Sequence, residues 1–368
     1  MFFESIQKQY NNQLPFVIYR KPNSLEIKAL LQTDDTIYYI EDYKEAGFVF
    51  APFDNTHNSV LIPLEHAEKI QTSFSIYDPI KTLDKKILFT SKGKQQHIGL
   101  VEKGIEAIKN NTFQKVVLSR QEAVDLSEFN LIQLFEKLLN SYPLAFVYCW
   151  YHPKIGLWLG ATPETLMKIE GTQFSMMALA GTQEYKGSLD VVWEDKEKEE
   201  QQIVTDFIVE NLKASVENIN TSEVETVKAG NLLHLRTMIT ATFKVGKFNL
   251  KEVISALHPT PAVCGLPKLA AKDFIMEQEK YNREFYTGYL GELNFESSRN
   301  PRSSKRNIEN RAYSITKKST QLYVNLRCMQ IKNHKALIYV GGGITRISNA
   351  EKEWEETVSK SKVIKNIL

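Results

Sequence analysis

Lys115 lies in Phe113-Gln-Lys-Val-Val-Leu-Ser-Arg120, a run that is apolar on both faces of a strand. Its own face carries Val117 and Ser119, while Val116 and Leu118 point the other way. Such a lysine either lies on an edge strand with its ammonium in water or is held over a cavity. Lysine is rarely fully buried, which favours the edge. Over a cavity, desolvation would depress its pKa and free a neutral amine to act as a general base. Glu164 follows Pro163 in Gly160-Ala-Thr-Pro-Glu-Thr-Leu166, at a strand end where a carboxyl is either solvated or catalytic. Arg327, beside Leu326, is a second strand cation, fit for a substrate carboxylate or for a structural ion pair. His234, in Leu232-Leu-His-Leu-Arg236, is a core histidine or a site residue.

Two acidic helices add oxygen donors. Between Lys196 and Leu212, the residues Ile203, Val204, Phe207 and Ile208 form an apolar wedge, which Glu199 and Glu200 extend by a turn. Glu197 stands three residues before Glu200, and the pattern does not say which glutamate turns inward. The second helix is expected after a capping box, Ser348-Asn-Ala-Glu351, and puts Glu353, Glu356, Thr357 and Lys360 on one face. Carboxylates on separate helices, with no Cys or His clustered near them, suit Mg²⁺ better than zinc. Two glycine turns are expected to meet anions with backbone N–H groups or to let a carboxylate approach. One lies in Ala178-Leu-Ala-Gly-Thr-Gln183 and the other in Gly341-Gly-Gly-Ile-Thr-Arg346. The latter is no nucleotide loop, because it lacks Gly-Lys-Ser/Thr and Arg346 fills the last glycine position of G-x-G-x-x-G.

These residues need a rigid scaffold. Strand-like runs occur at Phe16–Tyr19, Thr36–Ile40, Gly47–Phe50, Lys115–Leu118, Ala145–Tyr148, Gly156–Leu159, Leu322–Asn325 and Ala336–Val340. A helix is expected from about His97 to Lys109, because Ile98, Val101, Ile105 and Ile108 recur at helical spacing. The charged stretch Lys81 to Lys94 reads as a surface connection. Strands and helices do not alternate steadily, so the fold class is α+β: large, mainly antiparallel sheets in one two-lobed, interlocked domain with helices outside. Residues 1–94 would form the N-terminal part of the sheet scaffold and residues 95–368 the catalytic core.

Composition excludes several alternatives. Forty-six Lys and Arg against 44 Asp and Glu leave +2, which gives no general pull toward nucleic acid or an anionic membrane. Three dispersed cysteines, Cys149, Cys264 and Cys328, rule against a disulfide framework or a structural zinc site and fit a reducing, cytoplasmic setting. No secretory signal is evident at the N-terminus, and no apolar run reaches the about 18 residues of a spanning helix. Nothing supports a Ser-His-Asp or Cys-His hydrolase.

From about Gln95 to Lys365 the segments, taken in order, resemble the chorismate-binding enzymes, and among them the isochorismate synthases. The resemblance rests on Phe113–Arg120, Gly160–Glu164, Leu179-Ala-Gly-Thr182, Leu257-His-Pro-Thr-Pro-Ala262, Arg283-Glu-Phe-Tyr-Thr-Gly288, Val324–Cys328, and Gly341–Ile344 with Glu353-Trp-Glu-Glu-Thr357. It implies Mg²⁺ on the ring carboxylate of chorismate, held by Glu200 and Glu356, with Glu197 and Glu353 behind them on metal-bound waters. It implies that Arg327, Lys360 and amides near Gly181 and Gly341 meet the other carboxylate, with Thr182, Ala262 and Gly342 around the substrate and His234 near the ring. Lys115 matches the base that activates water for attack at C2, and Glu164 the acid that protonates the departing 4-hydroxyl.

Ammonia-using relatives, the anthranilate and aminodeoxychorismate synthases, typically carry glutamine where this chain has Lys115 and threonine where it has Ala262. Ala180 before Gly181-Thr182 also departs from the Pro-Ile-Lys-Gly-Thr turn of some aminodeoxychorismate synthases. Both departures imply water as nucleophile and no glutaminase partner. The expected activity is isomerisation of chorismate to isochorismate by a monomer or weak homo-oligomer. The alternatives are a salicylate synthase, which also eliminates pyruvate, and a non-catalytic chorismate-binding protein. The pathway served (menaquinone, siderophore or salicylate-derived) is not written in the residues.

Overall fold

A computed structural model describes residues 1–75, 91–126, 129–229, 232–244, 249–298 and 316–368. The chain begins with α1 (Phe2–Asn11), β1 (Phe16–Arg20), β2 (Glu26–Gln32), β3 (Tyr38–Tyr39), β4 (Gly47–Ala51), β5 (Val60–Pro63) and β6 (Ala67–Ser73). It continues through α2 (Ser91–Lys109), β7 (Lys115–Asp125), α3 (Leu131–Ser141), β8 (Phe146–His152), β9 (Gly156–Thr162), β10 (Thr165–Glu170) and β11 (Gln173–Glu184). Next come α4 (Asp195–Leu212), β12 (Val216–Thr221), β13 (Glu225–Ala229), β14 (Leu232–Phe243), α5 (Leu250–Leu257), β15 (Gly265–Leu266) and α6 (Lys268–Gln278). The last elements are β16 (Tyr289–Ser298), β17 (Thr316–Val324), β18 (Cys328–Lys332), β19 (Lys335–Ile344) and α7 (Ala350–Lys365).

The period-two alternation of β8 shows how the layers arise. Phe146, Tyr148 and Trp150 join one core cluster, while Val147, Cys149 and Tyr151 join another on the opposite face. The strand is apolar throughout because both of its faces are covered. One sheet has the order β15-β7-β19-β18-β9-β8-β1-β2-β6, and the second runs β12-β14-β11-β10-β17-β16-β4-β5-β3 with β13 on β14. The described ladders, such as β8 on β9 and β11 on β14, are antiparallel. An aromatic layer sits between the sheets: Phe50 meets Trp150 at 4.8 Å, and Phe146 stacks on Tyr323 at 3.9 Å between ring centroids.

Helices cover the outer faces. In α3 the residues Leu131, Leu134, Phe135, Leu138 and Leu139 are buried against the first sheet, and the Asn130 side chain caps the helix by accepting from the Gln133 N–H. On the second sheet, Val204, Ile208 and Leu212 of α4 pack with Val253, Ile254 and Leu257 of α5. Strands from the first 75 residues enter both sheets: β1 pairs with β8, and β4 with β16. No helix among the described residues is long and apolar enough to cross a membrane.

Several elements differ from expectation. Helix α2 starts at Ser91, so residues 91–94 are helical; the rest of the charged stretch, 81–90, lies outside the described residues. Only Tyr38–Tyr39 of Thr36–Ile40 is a strand, since the Asp34 carboxylate accepts the Thr36 N–H and the Tyr38 hydroxyl and bends the chain there. The cap of α7 is Asn349 rather than Ser348. The Asn349 side chain accepts from the Lys352 N–H, whereas Ser348 Oγ accepts from Thr345 N in the preceding turn.

Candidate active site

Lys115 opens β7 but is not on a free edge. Val116 pairs with Ile344 of β19, and Lys115 itself faces Leu266 of β15. The side chain is fully buried, and its Nζ stands 3.0 Å from Glu200 Oε1. The water-exposed edge reading does not hold: the ammonium is out of water and pairs with Glu200. Burial pulls the ammonium below its ordinary pKa, while the Glu200 charge opposes that pull. On the carboxylate the balance falls the other way. Burial would raise Glu200, but Lys115 and Lys196 outweigh it and hold the group at about 2.

Glu164 sits in the Pro163 bend between β9 and β10 and is buried. Burial pushes its pKa up to about 8 against the charges of Lys115, Arg327 and Lys360, so at neutral pH it holds a proton to donate. His234 is pinned in one tautomer. Its Nδ1 lies 2.9 Å from the Gly181 carbonyl oxygen, an acceptor, so Nδ1 carries the proton. Nε2 then accepts from Arg327 Nη2 at 3.4 Å. Burial lowers the ring's pKa to about 3, and the histidine is neutral.

Arg327 has φ 49°, in the left-handed region, and a nearly buried guanidinium. Its Nη1 has no hydrogen-bond partner, and no carboxylate pairs with it among the described residues. Among the described residues no structural ion pair holds this guanidinium, which lines the cavity with one buried donor unpartnered. Lys360, from α7, donates to the Gly341 carbonyl at 2.9 Å and to Glu356 Oε1 at 2.6 Å.

The two expected glycine turns are strand backbone. Gly181 lies in β11 at a bulge, with φ 72°, where register slips between Ala180 and Gln183. A Cβ there would stand 3.0 Å from the Glu197 Cβ, so glycine lets the strand touch the start of α4. Gly341–Gly343 continue β19, paired with Leu118, Val117 and Ser119 of β7. Their function is space: a Cβ on Gly343 would fall 2.1 Å from Glu200 Oε1, and one on Gly342 would lie 3.3 Å from Glu356 Oε1 and 3.5 Å from Glu353 Oε2. The missing side chains make the trough in which both acidic helices meet.

On α4, Glu197 and Glu200 turn inward and Glu199 is exposed; on α7, Glu353 and Thr357 are buried. No group of three or more His, Cys, Asp or Glu side chains among the described residues stands as a ready metal cage. Lysines are interleaved instead: Lys115 on Glu200 at 3.0 Å, Lys360 on Glu356 at 2.6 Å, and Lys196 on Glu353 at 2.7 Å. Burial tends to lower the Lys196 pKa, but Glu356, Glu353 and Glu200 hold it above its usual range. The cluster still lacks positive charge. Burial, then Glu356, raises Glu353 to about 7, and Glu197 Oε2 is buried without a hydrogen-bond partner. An all-oxygen donor set short of positive charge fits a hard divalent cation.

These side chains surround a cavity with about 640 Å³ of empty space, its mouth included. Glu164, Gly181, Thr182, Glu200, His234, Ala262, Arg327, Gly341, Gly342 and Lys360 line it; Lys115 stands behind Glu200, while Glu197, Glu353 and Glu356 line a separate, open pocket that shares Thr182 with the first. Sequence reasoning missed Lys196, although its i,i+4 spacing to Glu200 signals it, and missed Tyr286 and Thr287, whose motif was read without a role.

Residues 52–299 match the family described as chorismate binding enzyme, and residues 313–366 match a second model of the same description. The chain is a chorismate-binding enzyme by family. Among the family's members, isochorismate synthase MenF of Pasteurella multocida is 32% identical over 235 residues, 60% of this chain and 53% of that protein. The chain spans about half to two thirds of the length of the curated relatives it matches. The family fold extends over the whole chain. A Bacillus anthracis protein described as a 2,3-dihydroxybenzoate-specific isochorismate synthase, DhbC, superposes with TM-score 0.77 at 20% identity, covering 99% of this chain and 98% of that one. Anthranilate synthase component I of Streptococcus pneumoniae superposes with TM-score 0.64 at 17% identity, covering 95% of this chain and 92% of that one. Proteins named isochorismate synthase and anthranilate synthase share the scaffold, so the reaction must be read from the site.

Proposed function

We propose that the chain isomerises chorismate to isochorismate, adding water at C2 and expelling the 4-hydroxyl. The observation that carries this reading is a fully buried Lys115 held against the cavity-lining Glu200, with a buried Glu164 whose pKa is raised to about 8 lining the same cavity. Lys115, as the neutral amine, takes a proton from water as its oxygen bonds to C2. The ring double bonds shift, the C4–O bond breaks, and Glu164 gives its proton to the leaving hydroxide. One proton is gained by Lys115 and one lost by Glu164, so the net reaction is an isomerisation. The relatives named isochorismate synthases support the reading, as does the absence of glutamine at position 115.

Arg327 and Lys360 supply the cations for a substrate carboxylate, and neutral His234 fixes the guanidinium. Glu200 and Glu356 would hold Mg²⁺, with Glu197 and Glu353 behind them. Bound there, the ion would offset the repulsion between these carboxylates and a dianionic substrate and relieve Lys115 of its charge partner. Water as nucleophile removes the need for a glutaminase subunit.

The test is to incubate chorismate with enzyme and Mg²⁺, without glutamine or ammonium, and follow it by NMR. The expected result is a mixture of chorismate and isochorismate that fails to form in EDTA. Stoichiometric pyruvate with salicylate would make the chain a salicylate synthase, and an aminated product formed only with ammonium would overturn the role of Lys115.

A further inference from the structure

The segment Arg283–Gly288 carries a buried arginine that the chemistry above does not use. All five N–H donors of Arg283 are spent. Nε and Nη2 donate to Glu279 Oε2 and Oε1 at 2.8 and 2.6 Å. The remaining Nη2 hydrogen goes to the Val117 carbonyl at 2.7 Å, and Nη1 donates to the Val263 carbonyl at 3.1 Å and to Thr287 Oγ1 at 3.2 Å. Glu279 Oε1 in turn accepts both the N–H and the hydroxyl of Ser119 at 2.8 Å. The guanidinium lies over Phe53, 4.5 Å from the ring centroid, and is almost wholly buried.

The backbone pattern gives the arrangement its meaning. One edge of β7 is paired with β19 along its length, but on the other edge β15 covers only Lys115 and Val116, and Val117 N reaches Cys264 O. Beyond that point the outward groups are the Val117 carbonyl and the Ser119 N–H, and the Arg283–Glu279 pair takes both. An ion pair therefore stands where a strand would continue. The three neutral partners of Arg283, namely Val117, Val263 and Thr287, all line the substrate cavity. Thr287 N donates to Asn325 O, two residues before Arg327, so the pair ties the strand of Lys115 to the loop of Arg327.

We infer that Arg283 and Glu279 are positioning residues, which set Lys115 relative to Arg327 through the backbone of Val117 and Ser119. The inference rests on the reading of Lys115 as the base. Arg283→Lys keeps the charge and loses the fork, and it should lower kcat about ten- to a hundredfold with KM within about twofold, as a misplaced catalytic group does. The decisive measurement is a double-mutant cycle with Lys115→Ala. If Arg283 acts through Lys115, the double variant is no slower than Lys115→Ala alone. Multiplying losses, or a lower Tm with kcat intact, would overturn the inference. Should Arg283→Lys not fold, Glu279→Gln enters the same cycle. Amide exchange, read by mass spectrometry, separates the two claims: in either variant exchange should rise across residues 114–119 and not across 120–125. A wild type without turnover of chorismate would sink the role of Lys115 alone, whereas unchanged exchange across 114–119 would sink the clamp.

Discussion

Two buried guanidinium groups of this fold, those of Arg283 and Arg327, differ in how fully they are satisfied. Arg283 has a carboxylate and every donor satisfied, whereas Arg327 has a neutral histidine and an unmet Nη1. A buried charge is costly to keep, and costlier when its hydrogen bonds are incomplete. The satisfied cation is part of the scaffold; the unsatisfied one is the group proposed to meet a substrate carboxylate. Lys115, buried with its single Glu200 partner, and Glu164, buried with its proton, belong with Arg327. At the cavity the fold leaves several of its buried charges incompletely satisfied.

The sharpest way to break this contrast is at Lys115. Lys115→Ala should lower kcat by about 10²–10⁴, the usual range for losing a general base, and should also lower Tm, because the buried Glu200 loses its ion-pair partner. Steady-state kinetics with calorimetry decides it, and a folded variant at wild-type rate would remove lysine from the chemistry.

Next in size is the pair of arginines. Arg283→Leu strands Glu279 and should cost about 3–5 kcal/mol of stability in urea unfolding. Arg327→Leu should cost little or none, yet weaken substrate binding about ten- to a hundredfold, as expected for charge-assisted hydrogen bonds of about 1.5–3 kcal/mol. Equal losses of stability in the two variants would erase the distinction.

The smallest effect is a pH dependence at Glu164. Its pKa is about 8 in the fold against an ordinary 4.5, so the folded chain keeps a proton that the unfolded chain releases. The stability this confers is complete below pH about 4.5 and is lost as pH rises through about 8. Glu164→Gln cannot ionise, so its stability relative to wild type should climb between those pH values and level off above them. A difference flat with pH would contradict the buried acid.

Much of this was legible in the residues. The lack of steady β-α-β alternation pointed to large antiparallel sheets, and the acidic faces of α4 and α7 to converging oxygens. What sequence could not supply was contact between distant segments. Lys115 read as an edge lysine because neither β19 nor β15 is adjacent to it in sequence. The glycines at 341–343 read as a turn, although they are straight strand emptied for Glu200, Glu353 and Glu356. Ser348 and Asn349 are both good caps, and only the extended backbone at Asn349 separates them. Arg283 was read only as part of a motif without a role: its Glu279 partner lies four residues before it, but the Val117 and Val263 carbonyls come from distant segments.

The central claim is that Lys115 and Glu164 bring in one water and release another at separate carbons. The direct measurement is turnover of chorismate with Mg²⁺ in ¹⁸O-water, followed by mass spectrometry and NMR of the product. The account predicts isochorismate carrying one solvent oxygen at C2 and none in the enolpyruvyl ether. Isochorismate that holds the original unlabelled hydroxyl, moved from C4 without exchange, would contradict it.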